Sequence, residues 1–260
     1  MTNKYQKANQ ITDANYDLDF GGILEKAFSN YKKIALVAGI GMIISSIILL
    51  VIFAGIFGSI FGFADLTQTM TGFSTTLTWS SELIIIIAGA MFAGIFSPIN
   101  AGFIQMARNA NANENYGLDT LFSFFSASSF KDLFLSSVLL SLFGGLISFG
   151  LEYIGITFLG TVITVILSFL TILTIPLIIF NNLDALTAIT TSIKLVFKNT
   201  FVLFGLLVIS IIFCLLGVFG LCIGLFFTFP FWYSMNYIIY SEIVPLTDIN
   251  VLDEIGSVQE

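Results

Sequence analysis

Long hydrophobic runs dominate the chain, and their lengths match the thickness of a lipid bilayer. A transmembrane helix needs about 20 mostly apolar residues, since each residue rises about 1.5 Å across a hydrocarbon core of about 30 Å. The pattern predicts an all-α fold, that of a polytopic helical membrane protein with six transmembrane helices. These predicted spans cover about residues 34–63, 83–106, 133–151, 155–180, 200–218 and 221–240.

The basic residues all fall on one side of the predicted spans. The chain has nine Lys and Arg residues, namely Lys4, Lys7, Lys26, Lys32, Lys33, Arg108, Lys131, Lys194 and Lys198. They precede the first span or lie in the connectors before the third and fifth spans, whereas the opposite loops carry only acidic residues. Because Lys and Arg accumulate in cytoplasmic loops, we expect both termini in the cytoplasm, and we expect the protein in the cytoplasmic (inner) membrane of a prokaryote.

The three cytoplasmic connectors share one layout. Each has an aspartate, Asp19, Asp119 or Asp184, followed by an amphipathic stretch and then a lysine just before the next span. Each aspartate is predicted to cap a helix by accepting hydrogen bonds from the amides of its first turn. The amphipathic stretches of about 13–15 residues are too short to span a bilayer, so they are predicted to be helices that lie in the membrane interface.

One proline occurs in each even-numbered span. Pro98, Pro176 and Pro230 lack the amide hydrogen that an inner helical turn needs, so they are predicted to break or bend the second, fourth and sixth spans. Together with the connectors, they indicate a unit of interfacial helix, span and proline-containing span that occurs three times. Repeats of one orientation favour a pseudo-threefold bundle about the membrane normal.

The repeat divides the chain into a membrane domain and two tails. A polar cytoplasmic N-terminal tail covers residues 1–17, the six-helix membrane domain covers 18–245, and an acidic cytoplasmic C-terminal tail covers 246–260. The predicted units within the membrane domain are about 18–107, 117–182 and 183–245.

Three motifs support a resemblance to known proteins. They are DFGGILxKAFxxYKK at 19–33, PxxAGFxxMAR at 98–108, and AL followed by SxKLVxKN within 185–199. With them the chain resembles a broad set of uncharacterised prokaryotic six-span integral membrane proteins over about residues 18–243. That set is related to the membrane domain attached to some glycerophosphodiester phosphodiesterases. The resemblance implies an architecture and no activity, because the phosphodiesterase domain that supplies catalysis in such relatives is not expected in this chain.

Composition argues against several classes of function. The chain is 57% hydrophobic and 10% charged, contains no histidine and has a formal net charge of -7. A nucleic-acid partner is not expected, since a net charge of -7 opposes the neutralisation of phosphates. Two cysteines in apolar sequence, without other ligands nearby, predict no metal site. We likewise expect no catalytic residues and no cofactor.

Polar side chains cluster near the cytoplasmic ends of the proline-containing spans. They are Ser97, Asn100, Gln105, Asn181, Asn182, Ser234 and Asn236. In one interpretation they line a small cavity for a polar solute or a lipid headgroup, next to backbone freed by proline. In the other, which the sequence favours, they hydrogen-bond neighbouring helices or lie at the level of the headgroups.

Two functions are compatible with these features. The leading hypothesis is a non-enzymatic scaffold or helper whose partners are the lipid bilayer and another membrane protein or a second copy of itself. The alternative is a channel or facilitator for a small or amphipathic solute that passes along the proline-broken helices.

Overall fold

The described part of the protein is entirely helical. The computed structural model describes residues 2–13, 16–61, 79–220 and 223–244, and no β-strand occurs within these ranges. The predicted acidic tail at 246–260 lies outside the described residues, as do Cys222 and most of the predicted outer loop before the second span. The expected all-α fold class is confirmed for the described residues.

Eleven α-helices make up the described ranges. They are α1 (Thr2–Asp13), α2 (Phe20–Phe61), α3 (Trp79–Asn111), α4 (Leu118–Phe122), α5 (Phe130–Tyr153), α6 (Thr157–Leu170), α7 (Thr174–Asn181), α8 (Ala185–Lys198), α9 (Thr200–Leu216), α10 (Ile223–Thr228) and α11 (Pro230–Ile243). Short 3-10 turns follow α4 at Ser123–Phe125 and α9 at Gly217–Gly220.

Five helical segments of the described chain are long and apolar enough to cross a membrane. They are Phe20–Gly55, Glu82–Asn111, Phe130–Tyr153, Thr157–Asn181 and Thr200–Gly220. They overlap the first five predicted spans, and the first begins 14 residues before the predicted start at 34. The region of the sixth predicted span forms the two shorter helices α10 and α11, which meet at Phe229. The division occurs there because Pro230 has no amide hydrogen for a continuous helical ladder.

The first connector does not form a separate interfacial helix. Helix α2 begins directly after Asp19 and continues without a break through the predicted first span. No proline interrupts the junction at Lys32 and Lys33, so nothing ends the helix there. The Phe28 ring lies 5.6 Å from the Phe213 ring of α9, so this connector packs beside the fifth span. The prediction of a distinct first interfacial helix is wrong.

The second connector also departs from the predicted layout. Gly117 occupies the N-cap of α4, and Asp119 lies within the first turn, so the prediction that Asp119 caps this helix is wrong. The helix has five residues and is followed at once by a 3-10 turn, and two serine hydroxyls donate to backbone carbonyls in this region. Ser123 Oγ donates to Thr120 O over 2.8 Å, and Ser126 Oγ donates to Ser123 O over 3.3 Å.

The third connector forms the predicted amphipathic helix, α8. The carboxylate of Asp184 accepts hydrogen bonds from Thr187 N (3.2 Å) and Thr187 Oγ1 (3.0 Å), as expected for an N-cap. At the start of α2, the Asp19 carboxylate accepts a 3.1 Å bond from Gly21 N. Of the three connectors, all within the described ranges, the third alone forms a separate helix of the predicted length.

The polar N-terminal tail includes a helix that packs on α8. Tyr16 OH donates to Leu195 O, and Lys198 Nζ donates to Thr12 O. These two hydrogen bonds join the tail to α8. Burial of the Tyr16 side chain raises the pKa of its phenol, against a smaller opposing effect of a hydrogen bond from Asn199.

Helix α11 is the most enclosed part of the bundle. It packs against α2, α3 and α9, and Met235 and Tyr240 have no exposed surface. A hydrogen-bonded triad joins three of these helices: Ser234 Oγ donates to Asn30 Oδ1, and Asn30 Nδ2 donates to Ala107 O over 2.8 Å.

The α5–α6 hairpin and helix α11 pack on different parts of α3. Gly94, in its first half, faces Phe134 of the α5–α6 hairpin. Phe103, nearer its end, stacks on Tyr233 of α11 with ring centroids 4.7 Å apart. Because α5 and α11 contact different parts of α3, a space remains between them.

Gly102 of α3 provides a test of this packing. A Cβ atom at Gly102 would lie 2.4 Å from the backbone oxygen of Leu121, so Gly102→Ala must push α3 and α4 apart. We expect it to lower the free energy of unfolding by about 1–3 kcal/mol, measured by SDS-induced unfolding in mixed micelles. Gly89→Ala on the same helix is the matched control, since a Cβ there meets nothing within 4 Å. Equal stability of the two variants would contradict the packing.

Candidate functional site

A cavity of about 630 Å³ lies where α5, α6 and α7 face α3 and α11. Its volume is within the range of about 300–1,000 Å³ that is typical of small-molecule sites. Its lining is Asn100, Ile104, Ser136, Ser137, Leu140, Ser141, Gly144, Gly145, Ser148, Thr164, Leu167, Ser168, Thr171, Ile172, Thr174, Ile175, Trp232, Tyr233 and Asn236.

Hydroxyl groups form one wall of this cavity. Ser137, Ser141 and Ser148 are spaced by four and seven residues along α5, which places them on one helical face. Thr164 and Ser168 are four residues apart on the facing helix α6. The two helices are joined here, since Ser148 Oγ and Thr164 Oγ1 lie 3.0 Å apart.

Several of these hydroxyls donate their hydrogen to their own helix. Thr164 Oγ1 donates to Gly160 O (2.9 Å), Ser168 Oγ to Thr164 O (2.9 Å), and Thr171 Oγ1 to Leu167 O (2.8 Å). A hydroxyl oxygen that has donated its hydrogen keeps lone pairs for a second partner. The wall therefore presents hydrogen-bond acceptors to the cavity.

Two buried polar atoms on residues of the lining have no hydrogen-bond partner among the described residues. They are Thr174 Oγ1 and Asn236 Oδ1, on residues that are 2% and 6% exposed. Asn236 Nδ2 donates to Ile172 O over 3.2 Å, which fixes the amide orientation and leaves Oδ1 as the free acceptor. An unsatisfied buried polar atom costs about 1–3 kcal/mol. Asn236 Oδ1 therefore indicates a place for a donor, and the Thr174 hydroxyl, which can both donate and accept, indicates a place for a second polar partner.

The described residues that line the cavity are electrically neutral. None of them is Asp, Glu, Lys or Arg. A buried charge without a partner is strongly unfavourable, so the cavity suits an uncharged ligand. Among the described residues no group of three His, Cys, Asp or Glu side chains is arranged to hold a metal ion.

The predicted polar residues divide into two groups. Asn100 and Asn236 line the cavity, and Asn100 Oδ1 accepts a 2.6 Å hydrogen bond from Tyr233 OH. The other members make structural contacts. Ser97 Oγ donates to Leu133 O over 2.9 Å, and Gln105 Nε2 donates to Asn109 Oδ1 over 2.7 Å.

The remaining predicted residues lie near α11 or end a helix. Ser234 belongs to the triad with Asn30, and Asn181 Oδ1 accepts a hydrogen bond from Tyr240 OH. Asn182 ends α7 with φ 55° and ψ 34°, a left-handed conformation that asparagine adopts readily at helix ends. None of these three belongs to the described lining of the cavity.

The three prolines differ in their effect on the helices. Pro230 begins α11, and Pro176 is the third residue of α7, two positions where a helix needs no amide donor. Pro98 lies inside α3, which continues to Asn111, so Pro98 does not break its helix, and a bend there stays a prediction. Pro98 is itself buried in the bundle.

The serine and threonine wall was not predicted from the sequence. Its signal is the helical spacing of hydroxyl residues in the third and fourth predicted spans, Ser137 and Ser141 on one and Thr164 and Ser168 on the other. Single hydroxyls are common in transmembrane helices, and only the facing of α5 and α6 shows that these residues share one cavity.

Comparison of the chain with protein-family models, curated proteins and solved structures finds no match.

Water access to the cavity is testable with an engineered thiol. We expect Ser141→Cys, with Cys214 and Cys222 replaced by alanine, to react with methyl methanethiosulfonate about tenfold faster than Ser210→Cys in the same background. The reason is that thiolate formation needs a polar, accessible environment, whereas Ser210 is fully buried on α9. Equal labelling rates, followed by mass spectrometry, would contradict an accessible cavity.

Proposed function

We propose that this protein is a non-enzymatic membrane helper that holds an uncharged, hydrogen-bond-donating ligand in the cavity between α5–α7 and α11. The observation that carries the proposal is the pair of unpartnered buried polar atoms, the acceptor Asn236 Oδ1 and the hydroxyl Thr174 Oγ1, on a neutral lining. A protein that only held its helices together would gain stability by pairing both atoms.

The proposed setting is the cytoplasmic membrane of a prokaryote, with six spans and both termini in the cytoplasm. Helices α10 and α11 together form the sixth span, since residues 223–243 rise about 31 Å. The backbone at Phe229 keeps right-handed helical angles, φ -61° and ψ -31°, so the two helices continue one another. The distribution of basic residues supports the orientation, and the motif resemblance to six-span prokaryotic membrane proteins supports the span count.

Dense packing next to the cavity favours binding over free passage. The Phe103–Tyr233 stack and the Tyr233–Asn100 hydrogen bond lie at its boundary with α11. Further along the same helices, Met106 and Tyr240 have no exposed surface. A ligand that enters the cavity is therefore held beside a closed core in this conformation.

Native mass spectrometry of the purified protein tests the proposal. We expect the wild type, extracted in mild detergent, to carry an uncharged bound molecule as a mass adduct. Asn236→Leu should lose the adduct, and Thr174→Val should weaken its retention about 3- to 10-fold, since each removes a hydrogen bond to the ligand.

A matched control separates ligand loss from misfolding. Thr190→Val removes a hydroxyl on α8 whose partners within the described ranges are carbonyls of its own helix, Leu186 O and Thr187 O, so the adduct should remain. The proposal would be wrong if the wild type carried no adduct, or if the adduct survived Asn236→Leu unchanged.

A facilitator is the second candidate function. It is favoured by the length of the polar wall, because Ser136 and Ser148 are separated by about 18 Å along α5. A polar wall of this length would offer hydrogen bonds to a solute across much of a bilayer core.

Solute flux distinguishes the facilitator from the helper. In proteoliposomes that contain a facilitator, glycerol should enter faster than in protein-free vesicles, and Asn236→Leu should return the rate to that of bare lipid. Thr190→Val should conduct as the wild type does. Light scattering after rapid mixing measures the rate, and glycerol entry at the protein-free rate would count against this candidate.

A further inference from the structure

We infer that the ligand of the cavity is a neutral amphiphile of the diacylglycerol class, which enters sideways from the bilayer. Its hydroxyl-bearing head occupies the cavity, and a hydrocarbon chain lies in a neighbouring groove on α9–α11. This inference rests on the proposed ligand-holding function and names the chemical class of the ligand.

The groove is an apolar recess beside the cavity. It has a volume of about 300 Å³ and lies between α9 and the α10–α11 pair. The side chains that line it are Ile211, Cys214, Leu215, Leu225, Phe229 and Trp232. Apart from one buried thiol and the indole of Trp232, this lining is hydrocarbon, so it suits an acyl chain and offers little to a polar solute.

Trp232 belongs to both spaces. The same indole lines the hydroxyl-rich cavity and the apolar groove. A tryptophan combines an apolar body with one N–H donor, so it suits the boundary between a polar and an apolar environment. The two spaces are therefore neighbours, and in the inferred complex one molecule places its polar head in the cavity and its apolar chain in the groove.

The groove faces the lipid side of the bundle. Ile211 and Leu215, which line it, are 49% and 55% exposed on α9. Their neighbours Ile212 and Leu216 are 55% and 54% exposed. Large apolar side chains exposed on a transmembrane segment contact hydrocarbon, so the groove is open to lipid chains.

The chemistry of the cavity selects the headgroup. A phosphate would bring its charge next to Asn236 Oδ1 and the hydroxyl wall, with no Lys or Arg among the described lining residues. A free hydroxyl on a glycerol backbone instead donates to Asn236 Oδ1 and accepts from the Thr174 hydroxyl, the two buried polar groups without partners. Diacylglycerol has such a hydroxyl, no charge, and chains for the groove.

Fluorescence of Trp232 tests the inference directly. The chain has two tryptophans, so Trp79→Phe leaves Trp232 as the only reporter. The protein is reconstituted in unlabelled phosphatidylcholine with a few mole per cent of either dibrominated-chain diacylglycerol or phosphatidylglycerol with the same chains. We expect diacylglycerol to quench Trp232 in a saturable way, at a mole fraction at least several-fold lower than phosphatidylglycerol needs. Unbrominated diacylglycerol should restore the fluorescence.

Two substitutions locate the binding in the cavity. Thr174→Val removes a hydroxyl that has no described partner, so folding should be unaffected while diacylglycerol binds about 3- to 10-fold more weakly. Thr190→Val in the same Trp79→Phe background should bind as the parent does. Equal quenching by the two brominated lipids would overturn the inference, and so would unchanged binding in Thr174→Val.

The result also separates this inference from the proposed function. A water-soluble adduct that depends on Asn236, without preferential quenching by diacylglycerol, would support the cavity as a ligand site and overturn the lipid ligand. Absence of both the adduct and the quenching would overturn both proposals.

Discussion

Hydrogen-bond satisfaction in a medium without water is the constraint on which this structure depends. Inside a bilayer, a polar group that lacks a protein partner has no solvent to replace it. The Ser234–Asn30–Ala107 triad pairs its buried polar groups within the protein and joins α11 to α2 and α3. Among the described residues, Thr174 Oγ1 and Asn236 Oδ1 are exceptions, and the proposed ligand site rests on them.

The cavity arises because the α5–α6 hairpin and α11 contact different parts of α3. The α5–α6 hairpin packs on one length of α3, while α11 packs on another, close to its end. The space between them receives the hydroxyl faces of α5 and α6 and the first turns of α11. The bundle thus combines a closely packed core around Met235 and Tyr240 with a polar cavity beside it.

The sequence predicted part of the site and misassigned part of the scaffold. Asn100 and Asn236 were candidates for a cavity, and both line it, whereas Ser97 and Ser234 bond neighbouring helices. The first connector was expected to form a separate helix, and it continues α2 because no residue at the junction with the first span stops the helix. Such outcomes depend on packing between helices, which the sequence of any one helix does not show.

Hydrophobic length and local capping chemistry were determined by the sequence itself. The first five spans follow from runs of apolar residues, and the α8 cap follows from Asp184 and its own first turn. Only the tertiary structure decided which polar side chains are paired and which line a cavity. The partners of Thr174 and Asn236 depend on helices far apart in the chain, and an acceptor is left unpaired only when those helices pack without offering it a donor.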